Sequence, residues 1–171
     1  MIVGTTVVVL VWYRKRWIWT PSYAGLVPHF ICPNCKQRSV DIDGLEGFSQ
    51  DVVACRHCGF GFLFELMEDY YPGPNTGFVV CDQEARVLAT GRGVFELTGF
   101  EERDLIGRHI ADGLGFSDRK PLELALEWGV RRLGESLELK TRAGISKPVT
   151  ADVFPAYDDD GGLLVGISPR A

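Results

Sequence analysis

Two short cysteine motifs constrain the fold of this chain more than any other feature. CPNC at 32–35 and CRHC at 55–58 each begin and end with a cysteine. Such a turn can direct both sulfurs toward one point, so two turns supply the four soft, tetrahedral ligands that Zn²⁺ prefers. The spacing between the motifs also lies in the range that is typical of zinc sites. We therefore predict a structural Zn²⁺ held by Cys32, Cys35, Cys55 and Cys58.

The residues around these motifs predict a small β domain. Gly59 directly follows the second motif, where a tight turn favours a residue that can take positive φ. Alternating side chains predict short strands at 38–42, at 51–54 and over 60–66. The stretch from 29 to 67 resembles a zinc ribbon, in which the metal replaces a hydrophobic core too small to fold alone. Four thiolates close the coordination sphere, which favours a structural ion over a catalytic one.

Two other uses of the cysteines follow from different chemistry. Zinc ribbons as a family often bind nucleic acid, but these motifs lack clustered basic residues, and the formal net charge of the chain is −5. A nucleic-acid-associated transcriptional regulator is therefore the alternative interpretation, and nucleic acid is not the expected partner. A redox motif would be expected in a βαβ context, which the sequence does not predict.

The N-terminal segment, residues 1–20, admits two interpretations. Residues 2–12 carry no charge and are followed by YRKRWIW at 13–19, whose aromatic and basic side chains suit a membrane interface. A dozen apolar residues are too few to span a bilayer, so 1–19 would be the end of a longer anchor, with the rest at the inner face of the cell membrane. The many β-branched side chains equally favour a strand or a packed helix.

The cysteine count also bears on the compartment. Five cysteines, an odd number, with two tight pairs and no positively charged region ahead of the apolar run, do not resemble a secreted disulfide framework. We therefore expect a reducing, cytoplasmic environment, in which thiols stay available for a metal.

A linker at 68–76, marked by Pro72-Gly73-Pro74-Asn75, precedes a second domain at 77–171. Its apolar periodicity and turn residues predict a small α+β domain. The predicted strands lie at 77–81, 86–89, 136–142, 148–157 and 163–168. The predicted helices lie between the second and third of these strands, at 92–98, 101–106 and 121–133.

This element order resembles the PAS family, and three local sequences resemble it as well. They are GFVVCDQEARVLAT at 77–90, LTGFEERDLIGRHI at 97–110 and YDDDGGLLVGIS at 157–168. The resemblance covers about 76–169 and implies a five-stranded antiparallel sheet with helices on one face. It also implies a pocket that binds small molecules in some members and is filled by side chains in others, and pairing through the outer sheet face or a flanking helix.

Two positions depart from the family pattern. Gly91 stands where many PAS domains carry an asparagine that ties the helical segment to the sheet. Ala85 stands where many have glycine in the first turn, which we expect to change the turn geometry alone.

Cofactor signals are poor in the PAS-like segment, so its ligand remains unknown and the domain is compatible with having none. The Asn-Cys-Arg sequence of light-sensing flavin binders is missing. We expect Cys81 to be a small core residue, His109 to have a surface or capping role rather than to bind haem, and Trp128 to lie in the core or at an interface.

The sequence therefore predicts a bacterial signal-sensing or scaffold protein in which a zinc ribbon is joined to a PAS-like domain. No catalytic set or phosphate-binding loop is recognisable, so we expect no enzyme activity and an output through a protein partner or a PAS–PAS dimer. A third interpretation is a fragment of a sensor enzyme whose catalytic part was lost or lies on a neighbouring chain.

We predict that Cys55→Ser unfolds residues 29–67 and leaves the second domain largely intact, because a four-thiolate site contributes its folding free energy locally. Circular dichroism with proteolysis checks this prediction, with Cys81→Ala as the control that keeps all four expected ligands. Simultaneous melting of both parts would contradict it.

Overall fold

A computed structural model describes residues 11–13, 16–18, 29–39, 54–61, 63–66, 70–156 and 161–170. The first five strands have two or three residues each, and the elements from β6 onward follow in the order expected of the second domain. The strands and helices are β1 Val11–Tyr13, β2 Arg16–Ile18, β3 His29–Ile31, β4 Arg38–Ser39, β5 Phe64–Leu66, β6 Gly77–Cys81, β7 Val87–Thr90, α1 Arg92–Thr98, α2 Glu102–Leu105, α3 Ile110–Leu114, α4 Lys120–Trp128, β8 Arg132–Lys140, β9 Ser146–Pro155 and β10 Leu163–Pro169.

The second domain is built on a five-stranded antiparallel sheet in the order β7-β6-β10-β9-β8. The four helices connect β7 to β8 along the chain. This architecture confirms the predicted fold class, an α+β chain with a PAS-like sheet.

The central strands β6 and β10 are buried on both faces of the sheet. All five residues of β6, GFVVC, are buried, as are the first five of β10, LLVGI. Apolar runs of this kind, without polar alternation, are typical of strands that are covered from both sides. The sheet therefore needs two covers, and the helices provide one of them.

The inner face of the sheet and the helices share the larger hydrophobic cluster. Val79 of β6 and Val165 of β10 meet Leu105, Ile110 and Leu122 from the helical side, and each is at most 1% exposed. This inner cluster consists wholly of residues of the second domain, so it can stabilise that domain without the cysteine motifs.

The outer face is covered by the segment that carries the cysteines. We call residues 29–39, 54–61 and 63–66 the knuckle unit; its three strands pair in the order β4-β3-β5. Its apolar side chains pack on those of the large sheet in a second cluster. The members of this outer cluster are Ile31, Phe60 and Phe64 of the knuckle unit, Tyr70, and Phe78, Val80, Ala89, Phe154 and Leu164 of the second domain.

One predicted helix is wrong at its C-terminal end. The sequence predicted a helix over 121–133, but α4 ends at Trp128 because Gly129 takes φ 61° and closes it. Leu133 lies in β8, and Gly134, expected to stop the helix, lies where the pairing of β8 with β9 shifts register. Trp128 is 67% exposed, which excludes the core, while the alternative place at an interface stays a prediction.

Several predictions for the first 67 residues fall partly outside the described residues. β1 and β2 form an antiparallel pair, whereas residues 1–10 lie outside the description, so the membrane anchor stays a prediction. Within the part that the structure describes, no helix has the length and apolar character needed to cross a bilayer. Arg38–Ser39 is a strand, and 40–53, with most of the predicted strand at 51–54, is not described.

Tyr70 attaches the linker to the outer face of the large sheet. Its hydroxyl donates to Asp152 Oδ2 at 2.9 Å, and its ring meets Phe154 edge-on at 4.7 Å between centroids. Burial, together with the charge of Asp152 and the hydrogen bond to it, raises the pKa of Tyr70 well above its ordinary value. The linker is therefore held against the sheet rather than free of it.

We expect the stability of the protein to fall as the pH rises above about 10, the ordinary pKa of tyrosine. In that range the unfolded chain loses the Tyr70 proton while the folded chain keeps it, so the free energy of unfolding decreases by at most about 1.4 kcal/mol per pH unit, less whatever solvent screening removes. Urea unfolding between pH 9 and 11 checks this. Tyr70→Phe should lose the extra slope, whereas Tyr71→Phe, altered at the exposed neighbouring ring, should keep it; equal slopes in both variants would contradict the assignment.

Candidate metal centre

The two cysteine motifs fold into turns of the same geometry. In the first, Lys36 N–H donates to Cys32 O at 2.8 Å, and in the second, Gly59 N–H donates to Cys55 O at 2.7 Å. The residue after each motif takes a left-handed conformation, with φ 61° at Lys36 and φ 74° at Gly59. The positive φ predicted for Gly59 is confirmed, whereas lysine at the equivalent position gave no signal because L-residues rarely adopt this conformation.

The turns bring the four predicted ligands together. Cys32 Sγ lies 3.6 Å from Cys58 Sγ, and Cys35 Sγ lies 3.6 Å from Cys55 Sγ, so each contact joins one turn to the other. All four sulfurs lie within 4.8 Å of one another. A tetrahedral ion with metal–sulfur bonds of about 2.3 Å needs sulfurs roughly 3.8 Å apart. The four thiols are free of disulfides, and the cluster has the donor set and the size to hold one metal ion.

The surroundings shift the pKa values of the thiols in different directions. Burial raises the pKa of Cys32 and of Cys35 despite opposing backbone hydrogen bonds. Burial also acts to raise the pKa of Cys58, but hydrogen bonds from Phe60 N–H and the Asn34 side chain, with those of neighbouring thiols, lower it to about 7. Several negative sulfurs at this separation repel one another, so a bound cation is what allows all of them to ionise together.

Asn34 connects the cluster to the second domain. Its Nδ2 donates to Cys58 Sγ at 3.6 Å, and its Oδ1 accepts from Arg92 N–H at 3.0 Å, at the first residue of α1. Such outer contacts orient the ligands of a metal site. Asn34 was not predicted as a functional residue, because Arg92, whose N–H it accepts, lies 58 positions away in the sequence.

Gly91 explains why the knuckle unit can approach α1 so closely. A β-carbon at this position would lie 2.2 Å from Pro33 O, which no real side chain tolerates. Gly91 also precedes α1 without a side-chain cap, and the Asn34 oxygen accepts the N–H of the next residue. The start of α1 is thus bonded to the knuckle unit, in a chain that lacks the asparagine many PAS domains carry at position 91.

The remaining candidate residues have structural roles. His109 Nδ1 accepts from Ala111 N–H at 3.2 Å at the start of α3, which confirms the capping role. Cys81 is 3% exposed in the inner cluster, as expected of a small core residue, and burial beside Asp82 raises its pKa. Ala85 takes φ 57°, so the first turn has the left-handed residue that glycine supplies most easily.

Two open grooves lie on the surface of the described residues. The first, of about 410 Å³, lies where Asn34 and Phe60 of the knuckle unit meet Arg92, Phe95 and Glu102. The second, of about 610 Å³, lies between the end of α1 and the β8–β9 turn. Both lie outside the space between the sheet and the helices, where the inner cluster is packed.

Solved PAS domains and a photoreceptor are similar in structure to this chain. The light-state dimer of the fungal blue-light photoreceptor Vivid aligns with a TM-score of 0.50 at 11% identity, covering 61% of this chain and 83% of that one. The PAS domain of nitrogen regulation protein NR(II) from Vibrio parahaemolyticus gives 0.49 at 14% identity, covering 57% and 92%. A PAS domain from Colwellia psychrerythraea gives 0.49 at 17%, covering 56% and 86%. No protein-family model and no curated protein matches the sequence.

The fold and the sulfur cluster together define a class of chain: a PAS-like α+β domain preceded by a four-cysteine unit that can hold a metal. At these identities the likeness establishes the fold alone.

We predict that Gly59→Ala weakens the second turn by about 1–2 kcal/mol, the cost of a left-handed conformation for an L-residue with a side chain. No atom lies within 4 Å of the added β-carbon, so the cost is conformational rather than a clash. Chelator competition for the metal checks this, and Gly59→Asn should recover part of the loss because asparagine tolerates this region. Equal metal affinity in all three proteins would contradict the role of the backbone.

Proposed function

We propose that this chain is a signalling or scaffold module in which a structural Zn²⁺ fixes the knuckle unit as a zinc ribbon and the PAS-like domain docks a protein partner. The observation that carries the proposal is the convergence of four sulfurs, from turns far apart in sequence, onto one point beside a PAS-like fold. The metal is structural because four thiolates leave no open position for a substrate.

Zinc is favoured by the donor set and by the size of the unit. Four cysteine sulfurs in a compact cluster suit Zn²⁺ rather than hard cations, which prefer oxygen. The strands of the unit contain two or three residues each, within the described ranges. Sheets of this size do not stabilise themselves, so a bound ion supplies what a core cannot.

Docking of a protein is favoured over sensing of a small molecule by the packing of the domain. The side chains between sheet and helices form a continuous apolar cluster, in which Leu105, Ile110, Leu114 and Leu139 are each fully buried. Such an interior resembles a filled core more than a ligand cavity of several hundred Å³.

The setting that we propose for this module is cytoplasmic and non-enzymatic. A reducing compartment keeps the thiols available for the metal. We also propose that residues 1–19 tether the module to the inner face of the membrane. Its output passes through a protein partner or a second PAS domain.

Native mass spectrometry of the purified protein tests the metal, with one zinc per chain expected. Cys58→Ser removes a proposed ligand at an exposed position and should lose zinc at a lower chelator concentration than wild type does. Cys81→Ala, which keeps all four proposed ligands, should behave as wild type does. The absorbance spectrum of the same preparation is expected to be free of haem and flavin bands. Less than one zinc per chain with all four thiols free overturns the ribbon, and a cofactor band overturns docking as the role of the domain.

A further inference from the structure

The outer face of the five-stranded sheet is an interaction surface whose occupant is the knuckle unit of the same chain. Phe78 and Leu164 are completely buried there, and Ile31 of the knuckle unit is 1% exposed. The described helices pack with the inner cluster, on the other face of the sheet. If the knuckle unit moved away, a contiguous apolar surface would meet water, at a cost of roughly 25 cal/mol for each Å².

The knuckle unit meets the second domain at a polar contact as well as an apolar one. Asn34 lies between Cys58 Sγ and Arg92 N–H, with 3.6 Å to the sulfur and 3.0 Å to the amide nitrogen. Lys36 Nζ donates to Pro74 O at 2.7 Å, which holds the same turn to the end of the linker. The first cysteine turn is therefore bonded to the sulfur cluster, to the start of α1 and to the linker.

Ligation fixes the position of this turn. Cys32 and Cys35 flank Asn34, and both reach their nearest sulfur neighbour on the opposite turn. A bound ion would hold the two turns at these separations, and with them the Asn34 amide that faces Arg92. Without the ion, thiol contacts of 3.6 Å are weak, and little else in so small a unit keeps its turns together.

We infer that metal occupancy controls access to the outer face of the sheet, and that the contact of Asn34 and Pro33 with Gly91 and Arg92 transmits it. This inference rests on the proposed zinc binding. The loaded knuckle unit stays docked and covers Phe78 and Leu164, whereas loss of the ion releases the cover and leaves the inner cluster folded.

Thermodynamic linkage makes the coupling reciprocal. If the ion favours docking, then docking raises the affinity for the ion by the same factor. A change at Gly91 that weakens docking must therefore lower metal affinity, although Gly91 is not one of the four proposed ligands.

Gly91→Ala separates docking from ligation. Gly91 has φ −77° and ψ 158°, which alanine adopts without strain, so the second domain can keep its backbone. The added β-carbon would meet Pro33 O at 2.2 Å and Asn34 Cα at 3.2 Å, so the knuckle unit must move away. Gly73→Ala is the matched control, because its nearest neighbour would lie at 3.5 Å, an ordinary contact.

The full-length chain, loaded with zinc or treated with chelator, is examined in three forms: wild type, Gly91→Ala and Gly73→Ala. Zinc affinity is measured by chelator competition, exposure of apolar surface by binding of the dye ANS, and integrity of the second domain by far-ultraviolet circular dichroism and amide exchange in α3 and β8. We expect Gly91→Ala to bind one zinc with an affinity lower by about 5- to 150-fold, the usual range of coupling between sites. Its loaded form and chelated wild type should both bind more ANS, with protection in α3 and β8 unchanged, while Gly73→Ala matches wild type.

Equal zinc affinity and equal ANS binding for the two glycine variants would overturn the inference while leaving zinc binding intact. Chelated wild type that binds no more ANS than loaded wild type would also overturn it, and this measurement decides the matter if Gly91→Ala fails to fold. Wild type that holds no zinc is a separate result, because it removes the proposed function together with this inference.

Discussion

The burial of β6 and β10 on both faces is the constraint on which the rest of the structure depends. Their apolar runs, GFVVC and LLVGI, have no side that suits water. The helices between β7 and β8 cover one face, and the other face needs a second cover. The knuckle unit supplies it through Ile31, Phe60 and Phe64, so a segment too small for its own core shares the core of its neighbour.

The glycine at position 91, which departs from the PAS pattern, is explained by the close approach of the first cysteine turn. The missing side chain at 91 allows the first cysteine turn to approach within contact of α1. An asparagine of the cysteine motif bonds to the start of α1 instead: the Asn34 oxygen accepts from Arg92 N–H, which ties this helix to the knuckle unit rather than to the sheet. Gly91 in the second domain and Asn34 in the knuckle unit therefore lie against each other where the two parts meet.

Contacts that a motif or a family resemblance implies could be predicted from the sequence, and contacts particular to this chain could not. The convergence of the four cysteines, the positive φ of Gly59 and the element order of the PAS-like sheet each follow from a recognisable pattern. The end of α4 was missed because Leu133 fits the helical period as well as the strand to which it belongs. Asn34 was missed because its two partners are set by tertiary packing, which no spacing rule encodes.

The linker is held in place by contacts with the parts of the molecule on either side of it. Tyr70 is bonded to Asp152, and Pro74 O accepts from Lys36, so both ends of this short stretch are fixed to neighbouring parts of the molecule. A fragment that began at Gly77 would keep its inner cluster but would present an uncovered apolar sheet surface to water. Such a fragment would be prone to self-association, so the cysteine-bearing segment also contributes to the solubility of its neighbour.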